Sequence, residues 1–144
     1  MTFENLMILQ TGEGFTGHVI DYGWSDEEAD AFMGAVRGCY LEGVSTAASL
    51  VNLNKAHSML MDSSHFVGGD CALLGGGDDY ANRINVQNCT FREQETAPIK
   101  DPGAASQAWL ISGNTFEPAA DNKARSDLFD PANHGCSLLR ELVR

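Results

Sequence analysis

Large apolar residues return along this chain at an interval of about 25 positions. The clearest series is aromatic: Phe15, Tyr40, Phe66, Phe91 and Phe116 stand 25, 26, 25 and 25 positions apart. Seven positions before each lies a second large apolar residue, namely Ile8, Met33, Met59, Ile84 and Trp109. Five positions before stand Gln10, Ala35, Met61, Val86 and Ile111, four of which are apolar. A fixed period of this length marks a stacked-repeat architecture, in which each unit buries its apolar face against its neighbours.

Within each repeat the local period is two. Arg83-Ile84-Asn85-Val86-Gln87-Asn88-Cys89-Thr90-Phe91 and Ala108-Trp109-Leu110-Ile111-Ser112-Gly113-Asn114-Thr115-Phe116 alternate apolar and polar residues, step through a small polar pair, then reach an aromatic. Such alternation predicts strands, whereas helical repeats place apolar residues three and four apart. Turn-forming runs separate the units: Gly68-Gly69-Asp70, Gly75-Gly76-Gly77-Asp78-Asp79 and Asp101-Pro102-Gly103. These intervals leave no room for paired helices, and the leucine-dense pattern of leucine-rich repeats is absent. The reading is an all-β parallel β-helix of about five 25-residue coils, with Ile8, Met33, Met59, Ile84 and Trp109 in one ladder and the five aromatics in another.

Asn88-Cys89-Thr90-Phe91 and Gly113-Asn114-Thr115-Phe116, each following an alternating strand, resemble rungs of the right-handed parallel β-helix superfamily, which includes pectate-lyase-like enzymes and phage tailspikes. Ser64-His65-Phe66 and Gly38-Cys39-Tyr40 are weaker copies, so the resemblance covers about residues 3–118. It implies a right-handed coil. It specifies activity far less well, because unrelated functions share this scaffold.

Length and charge narrow the partners. A chain of 144 residues is one domain, and five coils make a stack only about 24 Å tall at roughly 4.8 Å per coil. Open solenoid ends expose strand edges and core, so a short stack is expected to associate. The resemblance to tailspikes makes a homotrimer the expected assembly. Twenty acidic against nine basic residues give a formal charge of −11, which disfavours nucleic acid and anionic membrane as partners. No apolar stretch approaches the roughly 18 residues of a membrane helix, and no basic segment leads into an apolar one at the N-terminus.

Candidate chemistry is sparse. Ser25-Asp26-Glu27-Glu28-Ala29-Asp30 is the densest acidic run and reads as a solvated loop; Ser25 with Glu28 would also fit a helix capping box. Cys39, Cys71, Cys89 and Cys136 are too dispersed for a disulfide framework, so free, packed thiols are expected, with Cys39 and Cys89 at non-equivalent positions of the repeat. Glycoside hydrolysis needs a paired acid and base, and Asp62, Asp70, Asp78, Asp79, Glu93 and Glu117 share no register column. Arg92 and Glu117 should be cross-rung neighbours. His57 and His65 have no nucleophile motif beside them and read as surface or stacked side chains. Asn88-Cys89-Thr90 matches a glycosylation acceptor, but here the asparagine is expected to turn the strand and bond its neighbour along the axis. No catalytic residue, cofactor or metal is expected.

The two ends differ. Residues 1–118 form the β-helix, and 119–144 are expected to cap it or clasp a trimer as part of the same domain. Thr2, Phe3, Glu4, Asn5, Leu6, Met7 and Ile8 enter the first rung at once and are the expected contact with a partner or neighbouring chain. A compact, acidic, associating β-helix without a carboxylate cleft resembles the trimeric decoration or cement proteins of tailed-phage heads. That resemblance implies a structural protein of the virion, made in the host cytoplasm and bound to the major capsid protein on the capsid surface. The alternative is a carbohydrate-binding or polysaccharide-degrading β-helix module, a lyase or glycoside hydrolase if an enzyme.

Overall fold

The computed structural model describes residues 1–23, 31–76, 80–101 and 108–117, together with the backbone of three later strands. Every described element is a strand and every strand pair is parallel. One six-stranded sheet stacks β1 (Thr2–Glu4), β5 (Ala35–Arg37), β9 (Leu60–Asp62), β13 (Asn85–Gln87), β16 (Leu110–Ser112) and β19 (Ser137–Leu139). A second stacks β2 (Met7–Gln10), β6 (Tyr40–Gly43), β10 (His65–Gly68), β14 (Thr90–Arg92), β17 (Thr115–Glu117) and β20 (Leu142–Val143). The third wall holds β3 (His18–Asp21), β7 (Ser49–Asn52), β11 (Cys71–Leu74), β15 (Ala97–Asp101) and β18 (Phe129–Pro131), and the short fourth holds β4 (Ala31–Phe32), β8 (Ala56–His57) and β12 (Ala81–Asn82).

The protein is therefore a parallel β-solenoid. Three consecutive coils, β4–β7, β8–β11 and β12–β15, place a strand in all four walls, which makes about three complete turns where the spacing suggested five. The outer strands belong to coils that contribute to only some walls among the described residues. The strands after residue 118 extend the same sheets in parallel register, Leu110 facing Ser137 and Thr115 facing Leu142. The rest of 119–144, the acidic run from Ser25 to Asp30 with Trp24 before it, and Asp78 with Asp79 lie outside the described residues.

Register corrects the two ladders at their N-terminal ends. Phe66, Phe91 and Phe116 do stack, with ring centroids 5.1 Å apart at both steps and planes 13° and 12° from parallel. Below them, however, the column continues through Leu41 and Ile8, not Tyr40 and Phe15. Tyr40 is one position out of step, and a one-residue slip turns a side chain to the opposite face. It lies outside, its hydroxyl donating to Glu42 at 2.8 Å. Phe15 lies in a turn beyond β2. Met59, Ile84 and Trp109 are buried in one column, but Met33 is 79% exposed and Gly34 takes its place. Phe3 and Val36 likewise replace Gln10 and Ala35 below Met61, Val86 and Ile111.

A buried polar column runs beside the apolar ones and corrects the reading of the cysteines. Cys39, Ser64, Cys89 and Asn114 occupy equivalent corners, so Cys39 and Cys89 are two rungs apart in one column. The Cys39 amide donates to Ser64 Oγ at 3.1 Å and the Cys89 amide to Asn114 Oδ1 at 2.8 Å. Asn114 Nδ2 in turn donates to the Val86 carbonyl at 3.0 Å. These side chains complete the hydrogen bonding of backbone that the bend removes from the ladder.

Replacing Phe91 by Ala should cost about 3–5 kcal/mol, since it opens a cavity between two stacked rings. Phe15→Ala should cost about 1 kcal/mol or less, because Phe15 belongs to no interior column. Urea unfolding of the two variants checks the register, and equal losses would contradict it.

Candidate functional site

The first-rung segment divides into anchors and outward residues. Phe3 and Ile8 are partly buried and pack on the core, while Thr2, Glu4, Asn5, Leu6 and Met7 are exposed. Phe3 meets Tyr22 edge-on, with centroids 6.1 Å apart and planes at 81°. Tyr22 closes the interior beneath them: its hydroxyl lies 3.1 Å from the Ala35 carbonyl and 3.2 Å from that of Met1, donating to one of the two. Burial, with a smaller contribution from Cys39, pushes its pKa up to about 12. Glu4 reaches Arg37 at 3.6 Å. The large apolar side chains this segment leaves exposed are Leu6 and Met7, joined by Leu9, which is 52% exposed on β2.

β1 and β2 are the outermost strands of the two six-stranded sheets. The outward position of Met7 is taken by Tyr40, His65, Thr90 and Thr115 on later rungs, and that of Leu9 by Glu42, Val67, Arg92 and Glu117. The lateral surface is thus more apolar at the first rung than above it. Met1, Phe32 and Met33 are also exposed on the leading coils.

Among the described residues the candidate carboxylates are dispersed, and Asp62, Asp70 and Glu93 each have a partner. Asp62 accepts from Gln87 Nε2 at 3.2 Å and from Ser63 Oγ at 3.1 Å. Asp70 binds Lys100 at 2.6 Å and the Thr96 hydroxyl. Glu93 pairs with Arg92 at 3.2 Å, and Glu117 faces Arg92 across one rung as the spacing required. Among the described residues no three His, Cys, Asp or Glu side chains come together as a metal site. Asn88 does turn its strand, at φ 54°, and its Nδ2 lies 3.5 Å from Asp62 Oδ1.

His65 is exposed beside Tyr40, and His57 is stacked flat on Phe32, with centroids 4.8 Å apart and planes 3° from parallel. Tyr80 tilts against the other side of His57 at 4.9 Å. Phe32, His57, Asn82, Arg83 and Ala108 line an open groove of about 360 Å³ along the fourth wall. The sequence reading missed this groove. Of its lining residues, Arg83 and Ala108 stand one position before Ile84 and Trp109 in the repeat, but the spacing does not bring Phe32 and His57 beside them.

One further pairing was missed. His18 Nδ1 and Ser49 Oγ are 2.8 Å apart. Ser49 is fully buried, so no substrate can reach its hydroxyl, and the pair ties β3 to β7. Cys39, Cys71 and Cys89 are buried free thiols, and Cys136 lies outside the described residues. Burial pushes the Cys71 thiol up to about 12; Lys100 pulls it down and Asp70 adds to the rise.

No protein-family model matches the chain, and no curated protein or solved structure matches it either. The class is set by the fold alone: a parallel β-solenoid.

Cys71 and Tyr22 make the fold sensitive to alkali. Both groups stay neutral in the folded chain to about pH 12, whereas unfolded they ionise from 9.0 and 10.0 upward. Their contribution is complete below those lower values and is lost as pH climbs toward 12. The urea midpoint should therefore fall above pH 9, and Cys71→Ala should remove the earliest part of that fall. An unchanged alkaline profile in Cys71→Ala would contradict the buried thiol.

Proposed function

We propose that the protein is a non-catalytic structural module that assembles through the N-terminal end of its solenoid. One observation carries this reading. Of the seven large apolar side chains exposed among the described residues, six (Met1, Leu6, Met7, Leu9, Phe32 and Met33) belong to the first coils, and only Leu110 stands elsewhere. Apolar residues gathered at one end and flanked by polar rungs are characteristic of an interaction surface. The outermost strands add backbone groups to which a partner strand can pair.

In its fuller form the reading is a homotrimeric decoration protein on the capsid of a tailed phage, bound to the major capsid protein at the virion surface. The resemblance of the rungs at Asn88 to Phe91 and Gly113 to Phe116 supports that form. Interface area would do the work, so the scattered carboxylates need no catalytic role.

Met7→Lys with Leu9→Lys tests the docking end, because both side chains point away from the core. The parent chain is expected to sediment as a trimer and the double variant as a monomer with an unchanged strand signal in circular dichroism. A parent chain that stays monomeric at micromolar concentration contradicts the reading. So does a double variant that assembles like the parent.

A further inference from the structure

We propose that Met7 and Met33 are modification sites for peroxides, and that oxygen transfer to their thioether sulfurs releases the docking end. The inference rests on the docking reading and adds a chemical control to that same surface. Burial sorts the five methionines of the chain into two groups with nothing between them. Met59 and Met61 are 1% and 0% exposed and fill interior columns, the Met59 sulfur accepting the Gly34 amide at 3.2 Å. Met1, Met7 and Met33 are 74%, 71% and 79% exposed, and all three stand at the docking end.

The fold gives Met7 and Met33 no task of its own. Met7 points outward from β2, at a position that later rungs fill with Tyr40, His65, Thr90 and Thr115. Met33 occupies a left-handed corner at φ 54°, where later coils carry Ser58, Arg83 and Ala108. A glycine would make that turn at lower cost. Met7 stands beside Leu6 and Leu9 on the second wall, and Met33 follows Phe32 where the fourth wall turns into the first. Oxidation of the pair therefore wets the docking end on two sides. Leucine at either place would supply as much apolar surface without a reactive sulfur.

The step needs only a peroxide. A sulfur lone pair attacks one oxygen of hydrogen peroxide, and the O–O bond breaks as the S–O bond forms. The departing hydroxide takes the proton of the transferred oxygen and leaves as water. Sulfur is oxidised to the sulfoxide while the peroxide is reduced. A sulfoxide is polar, so each oxidised methionine forfeits the gain of burying an apolar side chain, about one to two powers of ten in association. Assembly covers the sulfurs, so the free chain is the reactive form and oxidation keeps it free.

Sedimentation and peptide mass spectrometry of the full chain, before and after dilute hydrogen peroxide, test this. Met7 and Met33 should each gain one oxygen, with Met59 and Met61 unmodified, and the association constant should fall at least about tenfold. Methionine sulfoxide reductases of both stereochemical classes, supplied with a dithiol, should restore assembly. Met7→Leu with Met33→Leu should assemble like the parent and continue to do so in peroxide. That variant keeps every cysteine, so a peroxide effect exerted through thiols would persist in it. Oxidised parent that assembles like untreated parent overturns the proposal. So does oxidation of Met59 or Met61 as fast as Met7, no recovery with the reductases, or a double variant that fails to assemble with or without peroxide. Peroxide-insensitive assembly of a parent that sediments as a trimer counts against this inference alone. A parent that is monomeric before any peroxide is added fails the docking reading, and this inference with it.

Discussion

The left-handed corner is the constraint on which the solenoid depends. Each coil turns between the fourth and first walls at Met33, Ser58, Arg83 or Ala108, and between the first and second at Asn5, Gly38, Ser63, Asn88 or Gly113, all with φ between 49° and 67°. For a residue other than glycine that conformation costs roughly 1–2 kcal/mol. The offset comes from the next rung. The backbone amides of Asn5, Gly38, Ser63 and Asn88 donate to the backbone carbonyls of Arg37, Asp62, Gln87 and Ser112 at 3.0–3.2 Å, and those of Met33 and Ser58 to the carbonyls of His57 and Asn82 at 3.0 and 2.9 Å. Each bend is stabilised by the coil stacked upon it, so stacking and turning are one interaction.

Once the corners recur, the faces follow. Ile8, Leu41, Phe66, Phe91 and Phe116 must fall inside, and Met7, Tyr40, His65, Thr90 and Thr115 outside. Chemistry can differ only on outward and corner positions without disturbing the stack. Those are the positions that carry the apolar first rung and the groove around Arg83. The interior tolerates polar groups where the bend leaves backbone unpaired, as at Ser64 and Asn114.

The upper rungs were readable from spacing because Phe66, Phe91 and Phe116 recur with no insertion between equivalent positions. The lower ones were not. Leu41 follows Ile8 by 33 positions, so a fixed period of 25 landed on Phe15 in the extra loop. Tyr40 misled because an aromatic beside the true interior residue looks like a better match than Leu41. The same slip hid the equivalence of Cys39 and Cys89. The third wall was opaque for a different reason: its steps are irregular, Ile20, Val51, Leu73 and Ile99 forming one column at uneven intervals. The exposed first rung was legible in the run from Thr2 to Ile8, although Phe3 and Ile8 serve the core. The groove was not, because Phe32, Asn82 and Arg83 become neighbours only through stacking.

The central claim is parallel stacking in this register, and nuclear Overhauser contacts between aromatic and methyl protons test it most directly. The account predicts contacts from Leu41 to Phe66, from Phe66 to Phe91 and from Phe91 to Phe116, with none linking Phe15 to the series. Contacts from the Tyr40 ring to that of Phe66 in place of Leu41, or close Cα-proton pairs of the kind antiparallel strands make, would contradict it.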